Sequence, residues 1–118
     1  MKLFRLISSL TLLAAMVALP GCRSRVIKVN LKNTGTDVVK TIIIDYPTAT
    51  FGKDKLSPNE TFTYAIKPLE TGMLKIQFTD AAGTIHSYIG TPLHKDDDGS
   101  LDVNLSQSGA VVTGKIGH

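Results

Sequence analysis

From Val26 onward the chain alternates apolar and polar residues in short runs, and turn residues stop each run within a few positions. Ile27, Val29 and Leu31 alternate with Lys28, Asn30 and Lys32. A period of two places one set on each face of an extended strand. Asn33-Thr34-Gly35-Thr36 breaks the run with residues suited to positive φ. Val38 to Tyr46 is a second run, and its middle, Ile42-Ile43-Ile44, is apolar on both faces. That pattern fits a central strand, or a strand whose outer face is covered. Its favoured register turns Ile42, Ile44 and Tyr46 inward, with Lys40 near the strand end.

Pro47 to Leu56 reads as a long loop, from which Phe51 folds back onto the core, and Ser57-Pro58-Asn59-Glu60 reads as a turn. Phe62, Tyr64 and Ile66 form the next inward set, followed by Leu74, Ile76 and Phe78. Asp80-Ala81-Ala82-Gly83 has the composition of a hairpin loop. Beyond it Ile85, Ser87 and Ile89 are expected inward, opposite His86 and Tyr88. Thr91 to Gly99 reads as a loop, Leu101, Val103 and Leu105 as a sixth inward set, and Ala110 to Ile116 as a seventh run after the Gln107-Ser108-Gly109 turn. No stretch from Val26 on carries a sustained helical period. About seven short strands in one domain predict an all-β fold, an immunoglobulin-like antiparallel β-sandwich, with a small open barrel as the rival.

The first residues follow a different rule. Met1-Lys2-Leu3-Phe4-Arg5 is a short basic start, and Leu6 to Leu19 is almost wholly apolar or small, the anatomy of a secretory signal and short for a membrane span. It closes on Leu19-Pro20-Gly21-Cys22, which holds the single cysteine of the chain. Leucine three places before the cysteine and a small residue just before it resemble the lipobox of bacterial lipoproteins. The resemblance implies a signal peptide over 1–21 that is removed, a lipidated tether over 22–25, and a domain over 26–118. It also implies that Cys22 carries a diacylglycerol on its thiol and an acyl chain on its amine. At about 0.8 kcal/mol per buried methylene, two or three chains hold a protein on a membrane where one barely does. Arg23, rather than Asp, after the cysteine implies the outer membrane where the cell has one. The alternatives are an ordinary secretory signal with a chance cysteine, and an uncleaved anchor helix. With so short a tether the domain lies within roughly 10 Å of the lipid, where Arg23, Arg25 and Lys28 either meet anionic head groups or are simply solvated.

The whole chain has a formal net charge of +3. Lys2 and Arg5 leave with the signal, so the mature chain is close to neutral and has no basic run interleaved with aromatics. That gives no reason to expect nucleic acid as a partner. A lipidated Cys22 leaves no thiol for a disulfide, a nucleophile or a metal site, so stability has to come from packing and ladder hydrogen bonds.

Ile27 to Thr36, read as Ile-x-Val-x-Leu-x-Asn-Thr-Gly-Thr, resembles the opening of bacterial immunoglobulin-like modules of the CARDB kind. Leu56-Ser57-Pro58-Asn59-Glu60-Thr61 resembles their Leu-x-Pro-Gly-Glu-Thr turn, with Asn59 where Gly is usual; Asn also tolerates the left-handed conformation. These motifs are turn chemistry and imply a fold rather than an activity. Such modules act in adhesion or as accessory domains.

Candidate chemistry is sparse. Asp96, Asp98 and Asp102, near Gly99, could supply oxygen ligands to calcium. Laid on an EF-hand loop, however, the first carboxylate and the bidentate Glu are missing, and a solvated acidic loop is the plainer reading. His86, His94 and His118 lack zinc spacing. No nucleophile elbow or phosphate loop is present. Phe51 and Tyr88 are the aromatics placed for contact with a protein or a sugar, although aromatics of a small sandwich usually fill its core. These features together predict a noncatalytic, membrane-anchored envelope lipoprotein without a cofactor, binding an envelope protein or polysaccharide. The alternative is a calcium- or carbohydrate-binding accessory protein.

Overall fold

The structure, a computed structural model, describes residues 25–117. The signal segment, Cys22 and His118 lie outside the described residues. The described chain is an all-β sandwich of eight strands: β1 (Ile27–Asn33), β2 (Val39–Tyr46), β3 (Ala49–Leu56), β4 (Thr61–Ile66), β5 (Gly72–Thr79), β6 (Ile85–Leu93), β7 (Asp98–Ser106) and β8 (Gly109–Gly117). One sheet has the order β4-β1-β7-β8, the other β3-β2-β5-β6. All neighbours are antiparallel except β1 and β7, which run parallel with Val29 opposite Leu101 and Leu31 opposite Val103.

The core follows from the alternation. Ile27, Val29 and Leu31 of β1 and Leu101, Val103 and Leu105 of β7 face Ile42 and Ile44 of β2 and Leu74, Ile76 and Phe78 of β5, all buried. Burying an aliphatic side chain of this size contributes roughly 1.5–3 kcal/mol, so these four inner strands carry the sandwich. The expected inward register of Ile42 and Ile44 holds, and Tyr46 packs half-buried against the core. A bulge between Lys40 and Ile43, with Thr41 at φ 50°, inserts one residue and lets Val39 and Ile42 both point inward.

Three expectations are corrected. Pro47 to Leu56 is not a loop: after the Pro47-Thr48 turn, Ala49–Leu56 pairs with β2 as an eighth strand. The Thr91 to Gly99 segment is mostly strand as well, because β6 runs to Leu93 and β7 starts at Asp98. Finally, β6 has the opposite phase to the one expected. Phe78 lies opposite His86 and Ile76 opposite Tyr88, and directly paired residues share a face, so His86 and Tyr88 turn inward while Ile85 and Ile89 point to solvent. The five-residue link from Asp80 to Thr84 fixes this register, and with it every side chain of the strand. Asp80 opens it, accepting hydrogen bonds from the backbone N–H groups of Ala82 and Thr84, each at 2.9 Å, and meeting His86 Nε2 at 2.8 Å.

Candidate functional site

The outer face of the β3-β2-β5-β6 sheet carries the groove. Two complete rows of outward side chains cross it. Thr50, Asp45, Lys75 and Ile89 form one, and Gly52, Ile43, Gln77 and Ser87 the other. Apart from Gly52, the residues of these rows, with Ile76 and Tyr88, border a groove of about 270 Å³. Gly52 contributes no side chain beside Ile43 at the sheet edge. Thr50 Oγ1 donates to Asp45 Oδ1 at 2.9 Å and holds that carboxylate in place. Ile43 is 37 % exposed and Ile89 68 % exposed. The groove therefore offers two apolar contacts among a carboxylate, an ammonium, an amide and hydroxyls. It is open and smaller than a typical small-molecule pocket of ~300–1,000 Å³, a shape suited to gripping a segment of a larger partner.

The residues singled out from sequence are not brought together here. Phe51 is buried in β3, its ring stacked on Tyr64 at a centroid distance of 4.1 Å. It closes the β3–β4 side of the sandwich rather than offering a contact surface. Tyr64 in turn stacks on Phe62 at 6.4 Å, and Lys53 Nζ stands 4.7 Å over the Phe62 ring. Burial, followed by the neighbouring Tyr64 phenol, pushes the Tyr46 phenol above its ordinary pKa. Tyr88, expected outward, turns its ring inward, and its hydroxyl pairs with Thr91 Oγ1 at 3.1 Å.

The acidic loop does not form an oxygen cage. Asp97 is its buried member, accepting from the His94 backbone N–H at 2.8 Å. Asp96 is exposed at φ 66°, and Asp98 starts β7 opposite Gly117. Asp102 lies further along β7, accepting from Asn30 Nδ2 at 3.0 Å. Among the described residues no three His, Cys, Asp or Glu side chains gather to hold a metal ion. The strand spacing explains this: Asp98 and Asp102 are separated by four residues of extended chain, roughly 13 Å.

The groove residues were only partly legible in sequence. The apolar triplet Ile42-Ile43-Ile44 fitted a central strand or one with a covered outer face, and β2 is an inner strand whose Ile43 is 37 % exposed in the groove. The groove role of Ile89 was hidden by the reversed phase of β6, and nothing in the sequence marked Lys75 and Gln77 among ordinary outward polar residues. No protein-family model matches the chain, and no curated protein matches it. Among solved structures, the NMR structure of a protein from Eubacterium rectale is similar, with a TM-score of 0.58 and 13 % identity, covering 85 % of this chain and 98 % of that one. At that identity the likeness supports the sandwich fold alone.

Proposed function

We propose that this chain is a lipid-anchored envelope protein whose sandwich is a noncatalytic binding domain, using the outer face of the β3-β2-β5-β6 sheet to hold an envelope protein or polymer. The anchor rests on the resemblance at Leu19 to Cys22, and Arg23 favours the outer membrane. The observation that carries the binding reading is the groove itself, with exposed Ile43 and Ile89 framed by Asp45, Lys75, Gln77 and Ser87. Mixed apolar and polar groups on an open sheet face are suited to a macromolecular contact, where a few anchors supply most of the affinity.

A photo-crosslinking residue in place of Gln77, activated in intact cells, should capture one discrete partner. Ile43→Asp should reduce that capture at least tenfold while leaving the protein folded. Crosslinks that Ile43→Asp does not alter, or that are equally abundant from Thr113 on β8, would remove the groove from the proposal.

A further inference from the structure

We propose that β6 pairs with β6 of a second copy of this chain, in antiparallel register about a two-fold axis through Ser87. Among the described residues, β6 pairs with β5 on one side and no strand hydrogen-bonds to its other edge, near which β8 of the facing sheet passes. Open edges are normally guarded by charge, proline or an inward-pointing lysine. The β3 edge has such guards in Lys53, Asp54 and Lys55, and the β8 edge in Lys115. The outward positions of β4 are Thr61, Thr63 and Ala65, small or weakly polar. The outward positions over the first half of β6 are instead Ile85, Ser87 and Ile89, with the two isoleucines 61 % and 68 % exposed, and the strand's one proline, Pro92, stands beyond them, past the register shift at Met73 and Leu74.

The sequence of that face reads the same in both directions. A two-fold at Ser87 sets Ile85 opposite Ile89 of the second copy, Ser87 opposite Ser87, and Ile89 opposite Ile85. A self-complementary patch of this kind is what an isologous interface requires. The result is a four-isoleucine cluster around a serine pair, with His86 facing Tyr88 on the inner side. No like charges meet at the seam, because the nearest outward charge on this sheet face, Lys75, lies one strand further in, opposite Ile89. The pairing would join the two four-stranded sheets into one of eight strands and run the two grooves toward each other. One strand edge and four isoleucines bury less than the ~1,200 Å² at which stable interfaces usually begin. The dimer is accordingly weak, and confinement of both copies on one surface would favour it. The pairing does not require the lipid anchor, and it shares Ile89 with the groove.

The test uses the full chain with Cys22→Ser, so that an introduced thiol stands alone and the fate of the anchor does not bear on the result. Under mild oxidation Ser87→Cys should give disulfide dimers at least tenfold faster than Thr63→Cys on β4 or Thr113→Cys on β8. Ile85→Cys and Ile89→Cys should each be slow alone, because like positions are offset by four residues, roughly 14 Å, beyond the ~7 Å reach of a disulfide. A mixture of the two should crosslink readily as a heterodimer. Ile85→Lys, which lies outside the groove lining, should suppress the Ser87→Cys dimer while sparing partner capture through Gln77. Equal rates at the three edges, or fast homodimers of Ile85→Cys, would overturn the pairing. So would sedimentation of the chain as a monomer at millimolar concentration.

Discussion

Asn33 shows how a residue written as a turn former can belong to the core. It ends β1, is fully buried, and spends its amide on the chain segments that leave the strand. Nδ2 donates to the carbonyls of Asp37 at 2.7 Å and Leu56 at 3.0 Å, and Oδ1 accepts from the Gly35 N–H at 2.9 Å. The side chain thus ties the β1–β2 connection to the end of β3, in the opposite sheet. Its backbone N–H donates to Glu60 O, and its carbonyl accepts from the N–H of Asn59, which holds φ 65° in the turn before β4. Asn33→Ala would leave buried backbone groups without partners, and each such group costs about 1–3 kcal/mol. We expect a loss of roughly 2–4 kcal/mol in urea unfolding, with the m-value unchanged. Asn33→Asp should not rescue it, because a carboxylate can accept from Gly35 but cannot donate to two carbonyls. In sequence, Asn33 was legible as a chain reversal and Asn59 as a left-handed residue. The burial of Asn33 was not, since it depends on where Leu56, twenty-three positions away, brings its carbonyl.

At the scale of elements, the strands that could be read were those whose two faces differ. β1, β5 and β7 alternate without interruption, so period alone gave their existence and their inward sets. β3 was missed because its inward positions hold Phe51 and Lys53 with Gly52 between them, a pattern without alternation in hydrophobicity. Edge position makes that composition workable, since the Lys53 ammonium rests over the Phe62 ring instead of entering the core. The phase of β6 was misread for the opposite reason: its apolar residues lie outside and its polar aromatic rings inside. The β5–β6 hairpin sets that phase through Asp80, whose carboxylate can only accept, so Nε2 of His86 carries the proton between them. The His86 ring also stacks on Phe78 at 4.9 Å. The His86 hydrogen bond, and then those from the Thr84 and Ala82 backbone, hold the Asp80 carboxyl below its ordinary value of 3.8, against the upward pull of burial. A depressed carboxylate contributes stability above its unfolded pKa and loses it as pH falls through the folded one. The melting temperature should therefore fall as pH drops below about 4, and Asp80→Asn should flatten that part of the profile while lowering stability at neutral pH. An unchanged slope in Asp80→Asn would assign the acid sensitivity to other carboxylates.

For the whole molecule, the two open sides of the sandwich are built differently, and the difference separates anchoring, packing and contact. Phe51, Phe62, Tyr64 and Lys53 close the side where β3 and β4 meet. On the other side, Tyr88 of β6 and Ala110, Val112 and Ile116 of β8 pack only partly buried against the core, and the isoleucines of β6 face outward. Gly99 at φ 140° and Gly114 at φ 143° let β7 and β8 come so near that a Cβ on either would collide with the carbonyl of Lys115 or of Ser100. The buried hydrophobic residues run from Ile27 to Leu105, so the interior of the domain starts five residues after Cys22 and is complete without the lipid proposed there. If the proposed anchor holds the protein, removing it should change location without changing the fold. In the cell of origin, Cys22→Ser should leave the membrane fraction for the soluble fraction, its melting temperature within ~2 °C of the parent domain, well under what a 1 kcal/mol loss produces in a domain this size. Mass spectrometry of the parent should find three acyl chains, or two, on residue 22 as the first residue of the mature chain. A Cys22→Ser protein that still sediments with membranes at high salt would place the attachment elsewhere, and the sandwich itself, with its exposed isoleucines, would be the first place to look.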